Sequence, residues 1–147
     1  RFNNRKLDAN IRGVDLVEFF ISANPGEPVK PLTKIISGGE ASRMMLALKK
    51  VFQQTDPVST LVFDEIDSGI SGETANKVAK ELVDISKFKQ VICITHLPQI
   101  AQKADHHLHI TKTINKKHTS IKMKYLNKSQ SKRVLEDLFF SFKKENI

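Results

Sequence analysis

The chain has 147 residues and a formal net charge of +8, with 39% apolar and 27% charged residues. This length fits one domain with its own core, so we predict a single domain over residues 1–147. No apolar run approaches the about 20 residues of a membrane-spanning helix, which argues against a membrane protein. The basic balance favours polyanions such as nucleic acid or nucleotides as partners, although a basic surface kept for solubility would look the same.

The single cysteine and the first residue also limit the possibilities. Cys93 cannot form an internal disulfide and lies in an apolar run, so we expect a small core residue of a cytoplasmic protein. The chain begins with Arg1 rather than Met, and we expect it to be a piece of a longer protein.

The first third of the chain predicts a strand followed by a helix. Residues 2–12 indicate either an edge strand or a loop, and residues 14–22 predict a strand. Prolines and a glycine in residues 24–31 predict a turn and an extended connection. A helix opens at Ser37-Gly38-Gly39-Glu40, which matches a capping box, and ends before Pro57.

The middle of the chain alternates strand, helix and strand. The apolar residues Leu61 to Phe63 and the apolar run 90–95 favour strands within an alternation that spans residues 59–95, and a helix from about Glu73 to Ser86 separates them. Apolar residues on both faces indicate strands inside a parallel sheet, so we predict a right-handed βαβ unit. The residues after its two strands, Asp64-Glu65 and Thr95-His96, then share the sheet edge at which α/β proteins bind ligands.

The last third predicts a short helix over residues 98–103 and a strand over 107–112. Residues 119–126 alternate apolar and polar side chains, which indicates an antiparallel strand with one wet face. Apolar residues from Val134 to Phe142 recur at helical spacing and predict a closing amphipathic helix. The expected fold is α/β, with a mostly parallel sheet flanked by helices and then a C-terminal β-hairpin and helix.

Two adjacent carboxylates, Asp64 and Glu65, follow the first apolar strand. In nucleotide hydrolysis one such group holds Mg²⁺ and the other positions or deprotonates the attacking water. The alternative is an ordinary strand end, at which the chain surfaces and charged side chains meet water. The neighbouring motifs favour the chemical interpretation.

The Ser37-Gly38-Gly39-Glu40 turn has two compatible interpretations. Structurally it caps a helix. Chemically, residues without side chains let backbone N–H groups approach an anion at the positive end of the helix. The double glycine favours the chemical interpretation, because it weakens a first turn unless something must come close.

Histidines appear at the second strand end and again further along the chain. A neutral His96 could hydrogen-bond a terminal phosphate or orient a water, although a satisfied loop histidine is the alternative. We interpret the later histidines as surface residues rather than a metal site, because no cysteine or carboxylate framework accompanies them: His106, His107, His109 and His118.

The stretch from His106 to Leu135 contains no acidic residue and eight basic ones. It is either a surface that faces a polyanion or a solvated basic face. Tyr125 is its only aromatic residue, which argues against a dedicated reader of single strands.

As a set, these motifs resemble those of ABC-type ATPases. Ile36 to Glu40 is similar to their signature motif, and Leu61 to Glu65 to their Walker B strand. Ser68 to Ser71 stands at the place of their D-loop, and His96 at that of their switch histidine. Transporters usually carry Pro-Thr after the glutamate, whereas Ile66-Asp67 resembles the SMC-like branch that maintains chromosomes and repairs DNA.

Longer phrases resemble an SMC-like family that repairs double-strand breaks in bacteria by recombination. The resemblance implies a C-terminal lobe of an ABC-type P-loop ATPase head, a function in that repair, and a cytoplasmic, nucleoid-associated location. The phrases are Ser22-Ala23-Asn24-Pro25-Gly26-Glu27-Pro28, Ser37-Gly38-Gly39-Glu40-Ala41-Ser42-Arg43 and Thr95-His96-Leu97-Pro98-Gln99-Ile100-Ala101.

The resemblance also implies roles for the motif residues. Asp64 would serve Mg²⁺, Glu65 would be the general base, and His96 would contact the γ-phosphate of ATP. Ser71 stands where many relatives carry an Asp, which leaves its contribution open. The residues that would bind ATP held by a second head, so that ATP joins two heads, are Ser37, Gly38, Gly39, Glu40 and Ser71.

No Gly-x-x-x-x-Gly-Lys-Ser/Thr loop occurs in these residues. The resemblance implies that this phosphate-binding loop, Walker A, lies in the N-terminal half of the same head. We therefore expect that the chain alone binds ATP weakly and does not hydrolyse it. The expected partners are that N-terminal half, a second head and, through the full-length protein, DNA; no membrane partner is expected.

Two alternatives stay open on the sequence. The first is a non-catalytic, basic nucleic-acid-binding module in which the Asp-Glu pair is a coincidence. The second is half of a transporter ATPase, which would bring a membrane partner and which Ile66-Asp67 disfavours.

Overall fold

A computed structural model of the chain describes residues 11, 13, 17–22, 26, 28–34, 37–115 and 118–145. Two compact units divide it, Arg1–Ser37 and Gly38–Ile147. The prediction of one domain over residues 1–147 stays a prediction.

The first unit contains a short antiparallel pair of strands. Strand β1, Phe20–Ile21, pairs with β2, Lys30–Pro31, with Phe20 opposite Pro31. The strand predicted over 14–22 is therefore confined to β1 within the described residues 17–22. The prediction for residues 2–12 lies outside the described residues, apart from Ile11, which lies in a turn.

A 3₁₀ helix, Leu32–Lys34, follows β2 directly and was not predicted. Its first N–H, that of Leu32, donates to the Phe19 carbonyl at 2.8 Å. Pro31 explains the turn, because its ring fixes φ near the helical value and suits the position just before a helical turn.

The second unit opens with the predicted βαβ arrangement. Helix α1, Gly38–Val51, leads to strand β3, Thr60–Phe63, and helix α2, Gly72–Ser86, connects β3 to strand β4, Gln90–Cys93. Strands β3 and β4 are parallel, with Thr60 opposite Gln90 and Phe63 opposite Cys93. The parallel unit and the shared edge after Phe63 and Cys93 are thus confirmed.

One face of this two-stranded sheet carries the hydrophobic core. The apolar side chains of α2 recur three and four residues apart, which places them on one stripe of the helix that packs against β3. Residues of α1 and of the segment after β4 complete the cluster. Its members are Leu46, Leu61, Phe63, Ile66, Ala75, Val78, Ala79, Leu82, Ile85, Leu97 and Ile100.

The opposite face of the sheet is open in the described part of the chain. Val62 is 63% exposed, and Ile92 and Ile94 are also exposed. The prediction that β3 and β4 lie inside the sheet, with both faces covered, is therefore wrong within the described residues. The described helices contribute their core residues to the Leu61 and Phe63 side of the sheet, and alternation sends Val62 to the other side.

The remainder of the unit forms the predicted helix, hairpin and closing helix. Helix α3 spans Pro98–Ala101, strands β5 and β6 span Leu108–Asn115 and His118–Tyr125, and helix α4 spans Lys128–Glu145. Every residue of β6 is exposed, so the expectation of one wet face was wrong: the hairpin has no described partner on its apolar side. None of the described helices combines the length and apolar character needed to cross a bilayer.

His107 is a structural residue rather than a surface histidine. It is partly buried, with Nδ1 at 2.9 Å from the Ser131 hydroxyl and Nε2 at 2.8 Å from the Ala101 carbonyl. Since a carbonyl only accepts, Nε2 carries the proton and Nδ1 accepts from Ser131. The surface interpretation was therefore wrong for this histidine, which ties the end of α3 to α4.

A buried lysine fixes the segment that enters β3. Lys89 is 8% exposed, and its Nζ donates to the carbonyls of Asp56 at 2.9 Å and Val58 at 2.5 Å. The Asp56 carboxylate also accepts from Lys49 at 2.6 Å. The hydrogen bond from Lys49, with a further one from the Val58 N–H, lowers the pKa of Asp56. These contacts hold the loop between α1 and β3 against the end of α2.

We expect Lys89→Met to lower the free energy of unfolding by about 1–3 kcal/mol, because two carbonyls beside the buried ammonium would lose their donor. Lys87→Met is the matched control: its ammonium pairs with Asp84 at 2.8 Å on the surface and should matter by about 0.5 kcal/mol or less. Urea denaturation of the three proteins measures the difference. Equal losses in both variants would contradict the structural role of Lys89.

Candidate active site

A cleft opens at the edge where β3 and β4 end. Its volume is about 640 Å³, which lies within the range of ligand sites. The residues that line it come from the loop after β3 and the loop after β4, as the parallel connection requires. They are Asp64, Glu65, Asp67, Ser68, Gly69, Ile70, Ser71, Ile94, Thr95, His96 and Leu97.

The two predicted carboxylates lie at this cleft in different backbone conformations. The Asp64 Oδ1 accepts the N–H of Glu65 at 2.9 Å, which orients that carboxylate. Glu65 has a φ of 56°, in the left-handed region that residues with a side chain rarely adopt. That conformation costs roughly 1–2 kcal/mol and persists only where neighbouring contacts enforce it.

Two side chains of α1 supply those contacts. The Ser42 hydroxyl donates to the Asp64 carbonyl at 2.7 Å. The Arg43 Nη1 donates to the Ile66 carbonyl at 3.1 Å and to the Ser68 carbonyl at 2.8 Å. The backbone on both sides of Glu65 is therefore held by α1, and the Ser68 N–H, which donates to the Glu65 carbonyl at 3.0 Å, closes the turn from within the loop.

The two glycines at the start of α1 make this close approach possible. A Cβ on Gly39, which is buried, would lie 2.8 Å from the Glu65 carbonyl oxygen and 2.9 Å from the Ser68 Cβ. A Cβ on Gly38 would collide with the carboxylate of Glu65 instead. Packing within the chain thus explains Gly39, and nucleotide binding by the pair stays a prediction.

His96 is held from one side by a buried carboxylate. Asp67 is 4% exposed, and its Oδ2 lies 3.1 Å from the His96 Nδ1. The same oxygen accepts from the Thr95 hydroxyl at 2.5 Å and from the His96 N–H at 2.9 Å. The loop after β3 is therefore joined to the loop after β4 through a single carboxylate oxygen.

The electrostatics favour the ionised form of this carboxylate. Burial would raise the pKa of Asp67, but the hydrogen bonds from Thr95 and the His96 backbone, with the nearby imidazole, lower it overall. Burial, reinforced by the charges of Asp67 and Asp64, raises the pKa of the Cys93 thiol to about 12. Cys93 is thus a protonated residue packed against the core, as predicted.

The other predicted site residues lie at the edges of this arrangement. Ser71 lines the cleft as the exposed N-cap of α2, and its side chain makes no capping hydrogen bond. Glu40 is exposed in the first turn of α1, and Ser37 is the exposed last residue of the first unit. The structure thus brings Asp64, Glu65, Ser71 and His96 to one cleft, and their roles stay predictions.

Comparison with known proteins places this site in a family. The chain is 44% identical over 128 residues to the DNA repair protein RecN of Bacillus subtilis, a match that covers 87% of the chain. It is 58% identical over 108 residues to RecN of Treponema pallidum, covering 74% of the chain. Over the length that it spans, the chain belongs to the RecN family. No protein-family model matches it.

The chain spans about a fifth of its RecN relatives, with 22% of the Bacillus protein and 19% of the Treponema protein covered. The matched segment is the C-terminal portion of RecN.

Solved structures show the same fold as this RecN segment. The Smc head domain of Pyrococcus yayanosii aligns with 80% of the chain and 25% of its own length, with a TM-score of 0.56 and 23% identity. The Smc head domain of Pyrococcus furiosus, solved with the C-terminal domain of ScpA, aligns with 77% of the chain and 27% of its own length, at a TM-score of 0.53. The predicted lobe of an ABC-type ATPase head is confirmed.

Sequence reasoning missed the residues that position this candidate site: Ser42, Arg43, Asp67 and Thr95. A pattern search gave no reason to separate Ser42 and Arg43 from other polar residues of an amphipathic helix. Asp67 carried no such signal either, because only the structure shows that it is buried and therefore needs hydrogen-bond donors.

A comparison of Gly39→Ala with Gly38→Ala should separate the effect of close packing on stability from the effect of helix propensity. The Gly39 variant must displace the backbone of Glu65, and we expect a loss of about 1–3 kcal/mol in unfolding free energy. The Gly38 variant meets only the Glu65 side chain, which can rotate away, so the stability should stay the same or rise by up to about 1 kcal/mol. Thermal unfolding of both variants tests this, and a larger loss in Gly38→Ala would contradict the packing.

Proposed function

We propose that the chain is the C-terminal half of an SMC-like ATPase head, which hydrolyses ATP between two heads during recombinational repair of DNA double-strand breaks. The observation that carries the proposal is the meeting of Asp64, Glu65 and His96 at one cleft. The relatives that share the segment are named DNA repair proteins. One structural neighbour is described by its ATP-driven dimerization and by DNA-stimulated activation of SMC ATPases.

Glu65 is the residue we propose as general base, and ATP is its substrate. A carboxylate in a cleft can accept a proton from a water that attacks the terminal phosphate. The left-handed backbone at Glu65, held by Ser42 and Arg43 of α1, sets the direction in which this carboxylate leaves the loop. This backbone sets only the direction of the Glu65 Cα–Cβ bond, and side-chain rotation then brings the carboxylate within the hydrogen-bond reach of the water that a general base needs.

Asp64 fits a Mg²⁺ ion that arrives with the nucleotide. Mg²⁺ binds through one or two carboxylates and the oxygens of substrate phosphates, and it keeps several waters. The described residues include no cluster of three His, Cys, Asp or Glu that could hold a metal by themselves. Asp64 would therefore hold the ion jointly with the phosphates, and the bound ion would neutralise charge that develops on them.

In a dimer of heads, His96 and the proposed signature residues would contact two different ATP molecules. The His96 ring is 72% exposed at the cleft, where it would contact the γ-phosphate of the nucleotide in its own head. The residues proposed to bind ATP held by a second head are Ser37, Gly38, Gly39, Glu40 and Ser71.

The exposed side of the sheet fits the N-terminal half of the head. Val62, Ile92 and Ile94 form an apolar face that a single chain would normally bury. We propose that the N-terminal half covers this face and supplies the missing phosphate-binding loop.

Lys122 and Lys124, on one face of the β5–β6 hairpin, are candidates for DNA contact in a cytoplasmic, nucleoid-associated protein.

Glu65→Gln in the full-length protein should lower kcat roughly 10²–10⁴-fold, because the amide cannot accept the proton. ATP binding should persist, so ATP-bound dimers should accumulate and be visible by size-exclusion chromatography with light scattering. Glu73→Gln is the matched control, since Glu73 is exposed on α2 and pairs only with Lys77 in the described residues. Its turnover should equal that of the parent.

The opposite outcome would favour the nucleic-acid-binding module. In that case Glu65→Gln would leave nucleotide behaviour unchanged, while charge reversal at Lys122 and Lys124 would abolish DNA binding.

The chain alone should show no steady-state ATP turnover, because it carries no phosphate-binding loop. Addition of a separately expressed N-terminal half should restore turnover, and the restored rate should disappear when the chain carries Glu65→Gln. A phosphate-release assay on the chain, the N-terminal half and their mixture measures this. Robust turnover by the chain alone would contradict the division of the site between two halves.

A further inference from the structure

Asp67 is the one buried carboxylate among the described residues of the second unit, and it faces His96. Its Oδ2 meets three donors: the Thr95 hydroxyl, the His96 N–H and the His96 Nδ1. Two of these contacts fix the backbone after β4. The third reaches the ring of a residue that the proposed function places at the γ-phosphate, and it lies on a side chain that is otherwise 72% exposed.

The backbone around His96 would be well held without the ring contact. The Leu97 N–H donates to the Thr95 hydroxyl at 3.0 Å, and Leu97 and Pro98 are buried directly after the histidine. Backbone anchoring alone leaves the imidazole free to rotate and to choose either tautomer. The contact to Asp67 removes both freedoms, since a carboxylate that is ionised can only accept.

We propose that Asp67 is the positioning residue of His96: its Oδ2 accepts the Nδ1–H and directs Nε2 into the cleft. This inference rests on the proposed function for the role of His96, and it adds how that role is prepared. With Nδ1 as the donor to Asp67, the neutral ring presents the Nε2 lone pair to a water or a protonated phosphate oxygen. If the ring gains a proton, Nε2 becomes a donor to a phosphate, and the carboxylate stabilises the positive charge.

A purely structural role for Asp67 makes different predictions. In that case the carboxylate would serve only to join the loop after β3 to the loop after β4, and any loss of a hydrogen bond there would act through stability. Thr95→Val tests loop joining, because it removes the hydroxyl that donates to Oδ2 and accepts from the Leu97 N–H, and it leaves the imidazole contact in place. Asp67→Asn keeps the shape and removes the charge.

The kinetic test uses the full-length protein and a double-mutant cycle. We expect Asp67→Asn to lower kcat by about 10-fold to 10⁴-fold with KM changed by about threefold or less, which is the range for residues that orient a functional imidazole. Thr95→Val loosens the loop but keeps the imidazole contact, so it should lower kcat less than Asp67→Asn does. In a His96→Ala background, Asp67→Asn should lower kcat no further, since a residue that acts through His96 has nothing left to position.

A spectroscopic test reports on the His96 ring directly and does not depend on ATP turnover. Histidine-selective ¹⁵N labelling of the full-length protein, with His96→Gln to assign the signals, reports which ring nitrogen carries the proton. We expect His96 as the Nδ1–H form in the parent and in Thr95→Val, and a loss of that single form in Asp67→Asn, because an amide can donate as well as accept.

The outcomes distinguish this inference from the proposed function. Parental turnover in His96→Ala would overturn the role of His96 and the positioning role with it. Loss of turnover in His96→Ala, together with a further loss when Asp67→Asn is added, would overturn only the positioning role. Unchanged ring signals in a folded Asp67→Asn protein would also overturn it. If Asp67→Asn does not fold, loss of kcat in Thr95→Val equal to that in His96→Ala would show that loop joining alone decides activity.

Discussion

Helix α1 fixes the loop after β3, and the geometry of the site depends on this contact. Ser42 and Arg43 hold the carbonyls on either side of Glu65, and Gly39 lets the helix come close enough to do so. Because the left-handed turn at Glu65 costs free energy, the loop needs these external contacts to keep it. Helix α1, which carries the proposed signature residues Gly38, Gly39 and Glu40, is therefore joined by hydrogen bonds to the loop of the carboxylate proposed to act as the base.

A second contact that fixes the site joins the loops that follow β3 and β4. Parallel pairing of β3 and β4 brings Asp64 and His96 to one edge, and the Asp67 carboxylate closes the gap between their loops. The contacts from α1 and the buried Asp67 carboxylate fix the backbone of the two loops. The groups proposed to react stay exposed on that backbone. Preorganisation of this kind lets a site act on a ligand without reorganising itself first.

Two apolar surfaces are exposed in the described part of the chain, one on the β3–β4 sheet and one on the β5–β6 hairpin. The apolar face around Val62 and Ile92 continues the sheet without a described layer upon it, and the β5–β6 hairpin is apolar on one side and basic on the other. Domains are built from packed layers, so the face that the described residues leave exposed supports the proposal that the N-terminal half of the head covers it. This agrees with a segment that covers about a fifth of its RecN relatives.

The sequence by itself determined the order of elements, the parallel βαβ unit and the rim that carries Asp64, Glu65 and His96, because hydrophobic periodicity and strand ends are local signals. It did not reveal that one face of the sheet is bare, that His107 joins α3 to α4, or that β6 is exposed on both sides. Burial depends on which elements meet, and no residue pattern within one strand contains that information. Only the tertiary structure decided that Ser42, Arg43 and Asp67 hold the site, since each acts across more than 20 residues of chain on a backbone or ring that folding alone brings near.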